Sequence, residues 1–565
     1  MGTVERRNLN SLQSGIIRTF QRPTIMTSDP NVTSNFPEAR EGQASVVESI
    51  DLRGSPLEML HLLLAGYFSP ATGYHGAGDT ARALEHIPSI DRPSPIMPLL
   101  LGMMPERCTK ITPGCLVALR DPEGVQLATL HLSEKWTIDD LPVALRNDVA
   151  IAGYAPDTVF LAGEVHCVEM PVHFDFVEHR MTSDELHQQY SKRGWTRVLA
   201  CQPSHMLHRP DTARIVHAAR LAQANILVQV LATGDQTMTL DHYTRIRCIE
   251  HGMRYLPERG AMLAVLPAPT TRNGAQSVLL RAVLARNSGA THLLVEPEWW
   301  GTASDVERAK VHAAASQLHL ELVDLPRFDR DATLGAFLPV AREADAPAPA
   351  AVTDEIVKRV RAGTEVPGWM TFPEVVEELR RSHPVRGRQG VTVFFTGLSG
   401  AGKSTIARVL LAKLLELGER TVTLLDGDVV RKHLSSELGF SRAHRDLNIQ
   451  RIGFVASEIT KHGGIAICAP IAPYRSTRQT VRNMVQAHGG FFEIHVATPL
   501  ETCEARDRKG LYAKARAGII KEFTGISDPY EVPDAPELSI DTRGLTPLEA
   551  AQMIVTRLEN EGFIG

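Results

Sequence analysis

The run TGLSGAGKST at 396–405 constrains this chain more than any other part of it. It carries Gly397, Gly402, Lys403 and Ser404 in the order G-x-x-x-x-G-K-S. An apolar, β-branched and aromatic run (VTVFF, 391–395) precedes it, and a helix-like run (IARVLLAKLLELG) follows. Strand, glycine loop and helix in that order make a phosphate-binding loop. Glycines let the amides of Gly397, Ser399, Gly400, Ala401 and Gly402 curl round a triphosphate, and the helix opening at Lys403, Ser404 and Thr405 adds its positive end. Lys403 is placed to reach the β- and γ-phosphates, and Ser404 to hold Mg²⁺. A glycine turn leading into a buried helix would need none of these fixed positions. A nucleoside triphosphate with Mg²⁺ is the expected ligand.

At 565 residues the chain exceeds what one core supports, and about three or four domains are expected. Hydrophobic residues at 43% and charged residues at 22% fit a soluble globular protein. The net charge of −5 supplies no global basic field, which argues against nucleic acid as a partner; anionic substrates must be met by local Arg and Lys clusters. Cysteines are scattered (Cys108, Cys115, Cys167, Cys201, Cys248, Cys468, Cys503) without a C-x-x-C pair or a disulfide framework, which points to a reducing cytoplasm. No segment reaches the ~18 apolar residues of a membrane helix. The N-terminus lacks the apolar core of a secretory signal.

Residues 1–45 are polar and aperiodic, an arm that could pack on a neighbour. From 46 to 169 short apolar runs alternate with turns, and CLVALRDPEGVQLATLHL reads as a hairpin across Asp121-Pro122-Glu123-Gly124. This is a β-rich domain. From 170 to 340 strand-like runs (TRVLACQ, NILVQVLAT, AMLAVLP, THLLVEP, LELVDL) alternate with helical ones, the pattern of an α/β unit with a parallel sheet. Residues 341–388 hold a Pro/Ala linker (AREADAPAPAA) and a short helical piece (EVVEELRRSHP). From 389 to 565 the α/β alternation returns, and Thr546-Pro547-Leu548-Glu549 opens the last helix.

LLDGDVVRKHL puts Asp426 and Asp428 at the carboxyl edge of a sheet, where such folds hold their ligands. A carboxylate there can accept a proton from a substrate hydroxyl or help hold a metal's water shell. Arg431, Phe440, Arg445, Asn448, Arg451, Arg475 and Arg478 follow. Guanidinium groups suit phosphate or sulfate oxygens, and an aromatic ring suits a purine face. Any one arginine would pass as a solvated surface charge; their clustering in sheet-edge loops points to a site.

Together TGLSGAGKST, LDGDVVR, LGF, RDLNIQR, APYR, CEARDRKGLYAKARAG, IKEFTGI and DPYEVP resemble adenylyl-sulfate (APS) kinase over 389–565. The resemblance implies transfer of the γ-phosphoryl group of ATP to the 3′-hydroxyl of APS, with Asp428 as general base. It implies Arg431, Phe440, Arg445, Asn448 and Ile471 as APS-binding positions, with Phe440 and Phe523 on either side of the adenine. Lys521 and Phe523 would close over the nucleotide, beneath a mobile lid bearing Arg506, Lys509, Lys514 and Arg516. Ala472 departs from the family, in which a serine commonly precedes Pro-Tyr-Arg.

The earlier part of the chain is similar to ATP sulfurylase in DLRGSPLEMLHLLLAGYFSPATGY, EMPVHFDF, RGWTRVLACQ, RNSGATHLLV and VPGWMTFPEVVEELRRSHP. Those enzymes join sulfate to the α-phosphate of ATP and release pyrophosphate. The combined resemblance implies a multidomain α/β chain: a PUA-like β-rich N-terminal domain, a Rossmann-like α/β domain and a C-terminal P-loop kinase with a parallel sheet. It also implies a homo-oligomer, either dimer or hexamer. The working residues depart from the family. Its pattern Q-x-R-N-P-x-H-x-x-H meets Gln202, Pro203, Ser204, His205, Met206, Leu207, His208, Arg209, Pro210 and Asp211, so arginine, asparagine and the second histidine are gone. An offset reading recovers His205 and His208 as H-x-x-H, without the arginine.

Where G-R-D-H-A-G is usual, Glu296, Pro297, Glu298, Trp299, Trp300 and Gly301 stand, and VTDEIV (352–357) replaces S-G-T-x-x-R. Losing donors and cations from an oxyanion-stabilising site costs orders of magnitude in rate. Glu296 and Glu298 are expected to repel sulfate and triphosphate as well. The expectation is therefore an APS kinase with a degenerate sulfurylase-like region, in which His205 and His208 are ordinary polar residues and the tryptophans are packed. The alternatives are a fully bifunctional enzyme and a nucleotide-binding scaffold without turnover.

Overall fold

The computed structural model describes residues 48–85, 97–146, 153–232, 240–268, 273–341, 347–418, 420–439, 441–507 and 509–565, with Glu85 and Asp428 described in their backbone alone. The expected N-terminal arm and Phe440 lie outside the described residues.

The first sheet holds β1 (Glu48–Asp51), β2 (Gly73–Tyr74), β3 (Gly102–Met103), β4 (Leu116–Arg120), β5 (Gln126–Thr137) and β6 (Val159–Cys167). Its order is β1-β4-β5-β6-β2, with β3 also on β6. The expected hairpin joins β4 to β5 antiparallel. Its turn is fixed by Asp121, whose Oδ1 accepts from the amides of Glu123 (2.9 Å) and Val125 (2.8 Å).

The second sheet is β7 (Val198–Cys201), β8 (Asn225–Ala232), β9 (Ala261–Pro267), β10 (His292–Val295) and β11 (Glu321–Asp324). All its pairs are parallel, in the order β11-β10-β7-β8-β9. Successive residues face opposite sides, as the strand period requires. Leu199, Val228 and Leu263 enter one core; Ala200, Leu227 and Ala264 enter another that runs on into Val117, Leu119 and Leu130 of the first sheet. The β-rich and α/β regions thus share a core. β12 (Phe328–Arg330) and β13 (Phe337–Pro339) form a small antiparallel pair beside it.

The segment expected as a Pro/Ala linker with a short helical piece carries two helices among its described residues. Helix Pro349–Ala362 opens on proline, tolerated where no intrahelical N–H is needed, and helix Pro373–Ser382 follows. Ile356, Val360, Phe372 and Leu379 pack with Met206, Leu240 and Cys248, and Arg247 reaches Glu378 at 2.5 Å. Apolar periodicity in VTDEIVKRV overrides the Pro/Ala composition that suggested a tether.

The third sheet is β14 (Val391–Thr396), β15 (Val422–Asp426), β16 (Ile465–Ala469), β17 (Gly490–Val496) and β18 (Leu538–Ile540), all parallel, in the order β15-β16-β14-β17-β18. Every residue of β14 is buried. Val393 and Phe395 face one core and Phe394 the other, as a strand covered by helices on both sides demands. Central placement of β14 puts the glycine loop at the carboxyl edge, where the chain switches sides of the sheet.

Candidate active site

The loop after β14 is built from residues that tolerate left-handed backbone. Gly397, Gly400 and Gly402 have φ of 147°, 76° and 111°. A Cβ on Gly397 would stand 2.6 Å from the carbonyl oxygen of Val496, so only glycine lets the loop leave the strand this way. The carbonyl of Ala401 accepts from the hydroxyls of Thr498 (3.0 Å) and Thr542 (3.2 Å), and that of Ser399 from the Tyr512 hydroxyl (2.8 Å). With these carbonyls tied back, the amides of Ser399, Gly400, Gly402 and Lys403 donate to no backbone carbonyl among the described residues. That is an anion cradle at a helix N-terminus.

Lys403 opens the helix Lys403–Leu417 and is buried. Its Nζ donates to the carbonyls of Gly397 (2.9 Å) and Leu398 (2.7 Å). Burial pulls its pKa down to about 8, against the opposing pull of Cys503 and Asp426. Ser404 is half-buried in the same turn and Thr405 is exposed. Asp426 is buried at the end of β15, and Asp428 lies in the first turn of helix Gly427–Leu434.

Arg445 and Asn448 stand about one turn apart on helix Arg442–Lys461. The Arg445 guanidinium donates to Thr524 Oγ1 (2.8 Å) and the Tyr474 hydroxyl (3.0 Å) and pairs with Asp528 at 3.0 Å. Tyr474 in turn donates to Asp528 at 2.8 Å. Burial, reinforced by that hydrogen bond, raises the Tyr474 pKa to about 12. Asn448 is buried, and its Oδ1 has no hydrogen-bond partner among the described residues. Arg431 donates to the carbonyls of Leu438 and Gly439, both at 3.1 Å. The carbonyl of Ile471 accepts from Thr396 Oγ1 (2.8 Å) and the Gly397 amide (3.2 Å), which ties this side to the phosphate loop.

Phe523 is half-buried and meets Tyr512 edge-on, with ring centroids 5.0 Å apart, while Lys521 is exposed. Ser399, Tyr512, Phe523, Thr524, Arg445 and Tyr474 therefore form an unbroken path from the cradle to the guanidinium cluster. Of the expected lid cations, Arg506 holds Thr542 Oγ1 (2.9 Å) and Arg516 pairs with Glu504 (2.9 Å); Lys509 and Lys514 are exposed.

Three further arginines weighed as anion ligands also meet carboxylates, as Arg445 meets Asp528, and of the three Arg478 is the buried one. Arg478 is buried, with Glu493 at 2.7 Å and the carbonyls of Ala472 and Glu531 each at 2.8 Å. Arg475 pairs with Asp534 at 3.0 Å and Arg451 with Glu437 at 2.6 Å. Their sequence neighbours suggested a cluster, but each faces its own carboxylate. Conversely, Thr396, Tyr512, Thr524, Asp528 and Tyr530 were not singled out by sequence, although Thr396 Oγ1 lies 2.9 Å from the Tyr530 hydroxyl. Tyr512 sat inside a basic run where only the cations drew notice.

At the carboxyl edge of the second sheet, polar groups hold one another. Gln202 Nε2 donates to Gln229 Oε1 (2.6 Å) and to the Arg281 carbonyl (3.2 Å). His208 is buried, its Nε2 2.9 Å from Thr353 Oγ1 of helix Pro349–Ala362, and burial lowers its pKa to about 3. Burial also lowers the pKa of His205. Trp299 and Trp300 are both buried, and Arg281 stacks on Trp299 at 4.3 Å. The expected repulsion from Glu296 and Glu298 is corrected by their partners. Glu296 pairs with buried Arg214 at 2.6 Å and Glu298 with Arg327 at 3.2 Å, so neither presents a bare carboxylate.

Family models match three stretches: a PUA-like domain at 28–146, ATP-sulfurylase at 177–328 and adenylylsulphate kinase at 389–541. A sulfate adenylyltransferase of Coccidioides immitis (strain RS) is 36% identical over 552 residues, covering 93% of this chain and 95% of its own. Another, of Mycosarcoma maydis, is also 36% identical and covers 92% and 96%. A solved hexameric APS kinase from Thiobacillus denitrificans superposes with a TM-score of 0.73 at 40% identity, covering 92% of this chain and 94% of that one. Matched along nearly their whole length, these relatives set the chain in the sulfate adenylyltransferase family, and its own last matched stretch is an adenylylsulphate kinase domain.

Proposed function

We propose that the C-terminal domain is an adenylyl-sulfate kinase. Its 3′-hydroxyl acceptor attacks the γ-phosphorus of ATP, an O–P bond forms as the bond to the β-phosphate oxygen breaks, and ADP leaves. One observation carries this reading: a glycine cradle with a buried lysine and an Arg445–Tyr474–Asp528 cluster share one sheet edge and are joined through Tyr512. Lys403, held by the carbonyls of Gly397 and Leu398, would exchange them for β- and γ-phosphate oxygens. Asp428 takes the proton of the 3′-hydroxyl. Arg431 and Arg445 face the phosphosulfate, and the unpartnered Asn448 Oδ1 is a buried acceptor that a ligand donor would satisfy.

Phe440 and Phe523 flank the adenine, Ile471 lines the pocket, and Lys521 with the lid cations Arg506, Lys509, Lys514 and Arg516 closes over it. The Ser404 hydroxyl and the Asp426 carboxylate are hard oxygen donors that fit Mg²⁺, which when bound offsets charge on the phosphate oxygens. The sequence divides at 45/46, 169/170, 340/341 and 388/389 on this reading. The scattered cysteines, without a C-x-x-C pair, support a reducing cytoplasm as the protein's location. Among the described residues no helix is long and apolar enough to cross a membrane. The hexameric relative supports a homo-oligomer.

For the sulfurylase-like region we favour loss of activity with ATP and sulfate, since Gln202, His208 and Glu296 are engaged with Gln229, Thr353 and Arg214. The name sulfate adenylyltransferase on relatives 36% identical favours the second reading, a bifunctional enzyme. Full-length protein with Mg²⁺, ATP, sulfate and pyrophosphatase separates them. The favoured reading expects no phosphate from pyrophosphate but rapid ADP formation when APS is supplied. Robust turnover of sulfate establishes the bifunctional reading, and no ADP with APS removes the kinase.

A further inference from the structure

The segment after β6 carries an inverted pattern. From Met170 to Phe174 (MPVHF) the chain belongs to no helix or strand, and no backbone amide or carbonyl of these residues pairs with another backbone group among the described residues. Between its exposed residues, Pro171, His173 and Asp175 are half-buried, and the two polar ones are engaged. His173 meets the His61 ring edge-on at 5.2 Å, and Asp175 binds Arg180 and His242, each at 2.7 Å. Its outward positions are apolar: Val168, Met170, Val172 and Phe174 are exposed by 58%, 41%, 65% and 91%, and Val177 follows at 61%.

A strand on the surface of a monomer buries the apolar set and leaves the polar set wet. Here the assignment is reversed from 170 to 175, where Met170, Val172 and Phe174 are exposed and alternate with half-buried Pro171, His173 and Asp175. The exposed apolar area of the five residues is on the order of 500 Å², as large as the biggest patch of a typical monomer. Two such faces together bury about 1,000 Å², the threshold at which a specific association becomes stable.

We propose that this face is where two copies of the chain meet, Phe174 and Val172 of one packing on the same residues or their neighbours in the other. The proposal rests on the homo-oligomer reading above and names the surface that reading leaves open. Because the inward polar set is bound within the chain, substitution of the outward residues leaves the segment anchored.

The test uses full-length protein with Phe174→Glu and Val172→Lys, singly and together. Sedimentation measures assembly, while ADP formation from APS and thermal melting report folding. A photo-crosslinking amino acid at position 174 identifies what touches it. The proposal expects wild-type oligomers, at least a tenfold rise in the dissociation constant for the double variant, unchanged melting, and a crosslinked band of twice the chain mass. A wild-type chain that sediments as a monomer overturns both the oligomer reading and this surface. A wild-type oligomer that the double variant fails to weaken overturns the surface alone, as does a crosslink confined within one chain, for example to residues 1–45.

Discussion

The second and third sheets are built alike, five parallel strands with cores on both faces, yet their carboxyl edges are opposite in kind. At the third sheet, glycines hold backbone amides open and a buried lysine donates, among the described residues, to two carbonyls of its own loop. At the second sheet several side chains have found each other, Arg214 with Glu296, Gln202 with Gln229 and His208 with Thr353, while His208 Nδ1, Arg281 Nε and Trp299 Nε1 are buried without a hydrogen-bond partner among the described residues. A polar group already paired within the chain gains less from a ligand than one whose best partner is the ligand. Framework and site answer to different requirements, because cores depend on apolar period and sites on a few polar atoms.

This contrast can be broken first at Lys403. Lys403→Ala should lower ADP formation from APS by at least about 10³-fold, the scale of losing a cation from a phosphoryl-transfer site, with the far-UV spectrum unchanged. Activity near wild type would remove the cradle from the mechanism. Asp428→Asn should lower kcat by about 10²- to 10³-fold while ATP affinity, measured by calorimetry, stays within a factor of a few. A loss confined to KM would make Asp428 a binding residue.

The second sheet should answer in stability and not in kinase rate. Glu296→Ala leaves the buried Arg214 guanidinium without its carboxylate and should cost about 3 kcal/mol in denaturant unfolding of that region, with APS-dependent turnover intact. Kinase activity falling in parallel would mean that the two edges are coupled.

The smallest effect concerns pH. Burial brings the Lys403 pKa down to about 8, and phosphate oxygens beside it favour its charged form. Below about pH 8 the lysine is already protonated and ATP affinity should be flat. Above it a proton must be taken up on binding, so affinity should fall by at most about tenfold per pH unit. Calorimetry between pH 7 and 9.5 checks this, and a flat profile throughout would contradict the assigned environment.

Local signals that are self-contained were legible in advance. The loop at 396–405, the alternating strand and helix runs and the Thr546 cap each depend on neighbours in sequence, and all appear as expected. Failures came wherever a side chain's partner is distant in sequence. Arg478 reads as an anion ligand until Glu493 is found at 2.7 Å, and Glu296 reads as a repulsive charge until Arg214 is found at 2.6 Å.

Residue order alone determined that this protein carries a triphosphate loop on a parallel sheet and which motifs flank it, because glycine torsions and apolar period act over a few residues. Tertiary structure alone decided which charges are neutralised, that the first two sheets share a core, and that an apolar row from Val168 to Phe174 faces outward. Those outcomes depend on where a chain's remote parts meet, and an ion pair or a buried face exists only once both partners are in place.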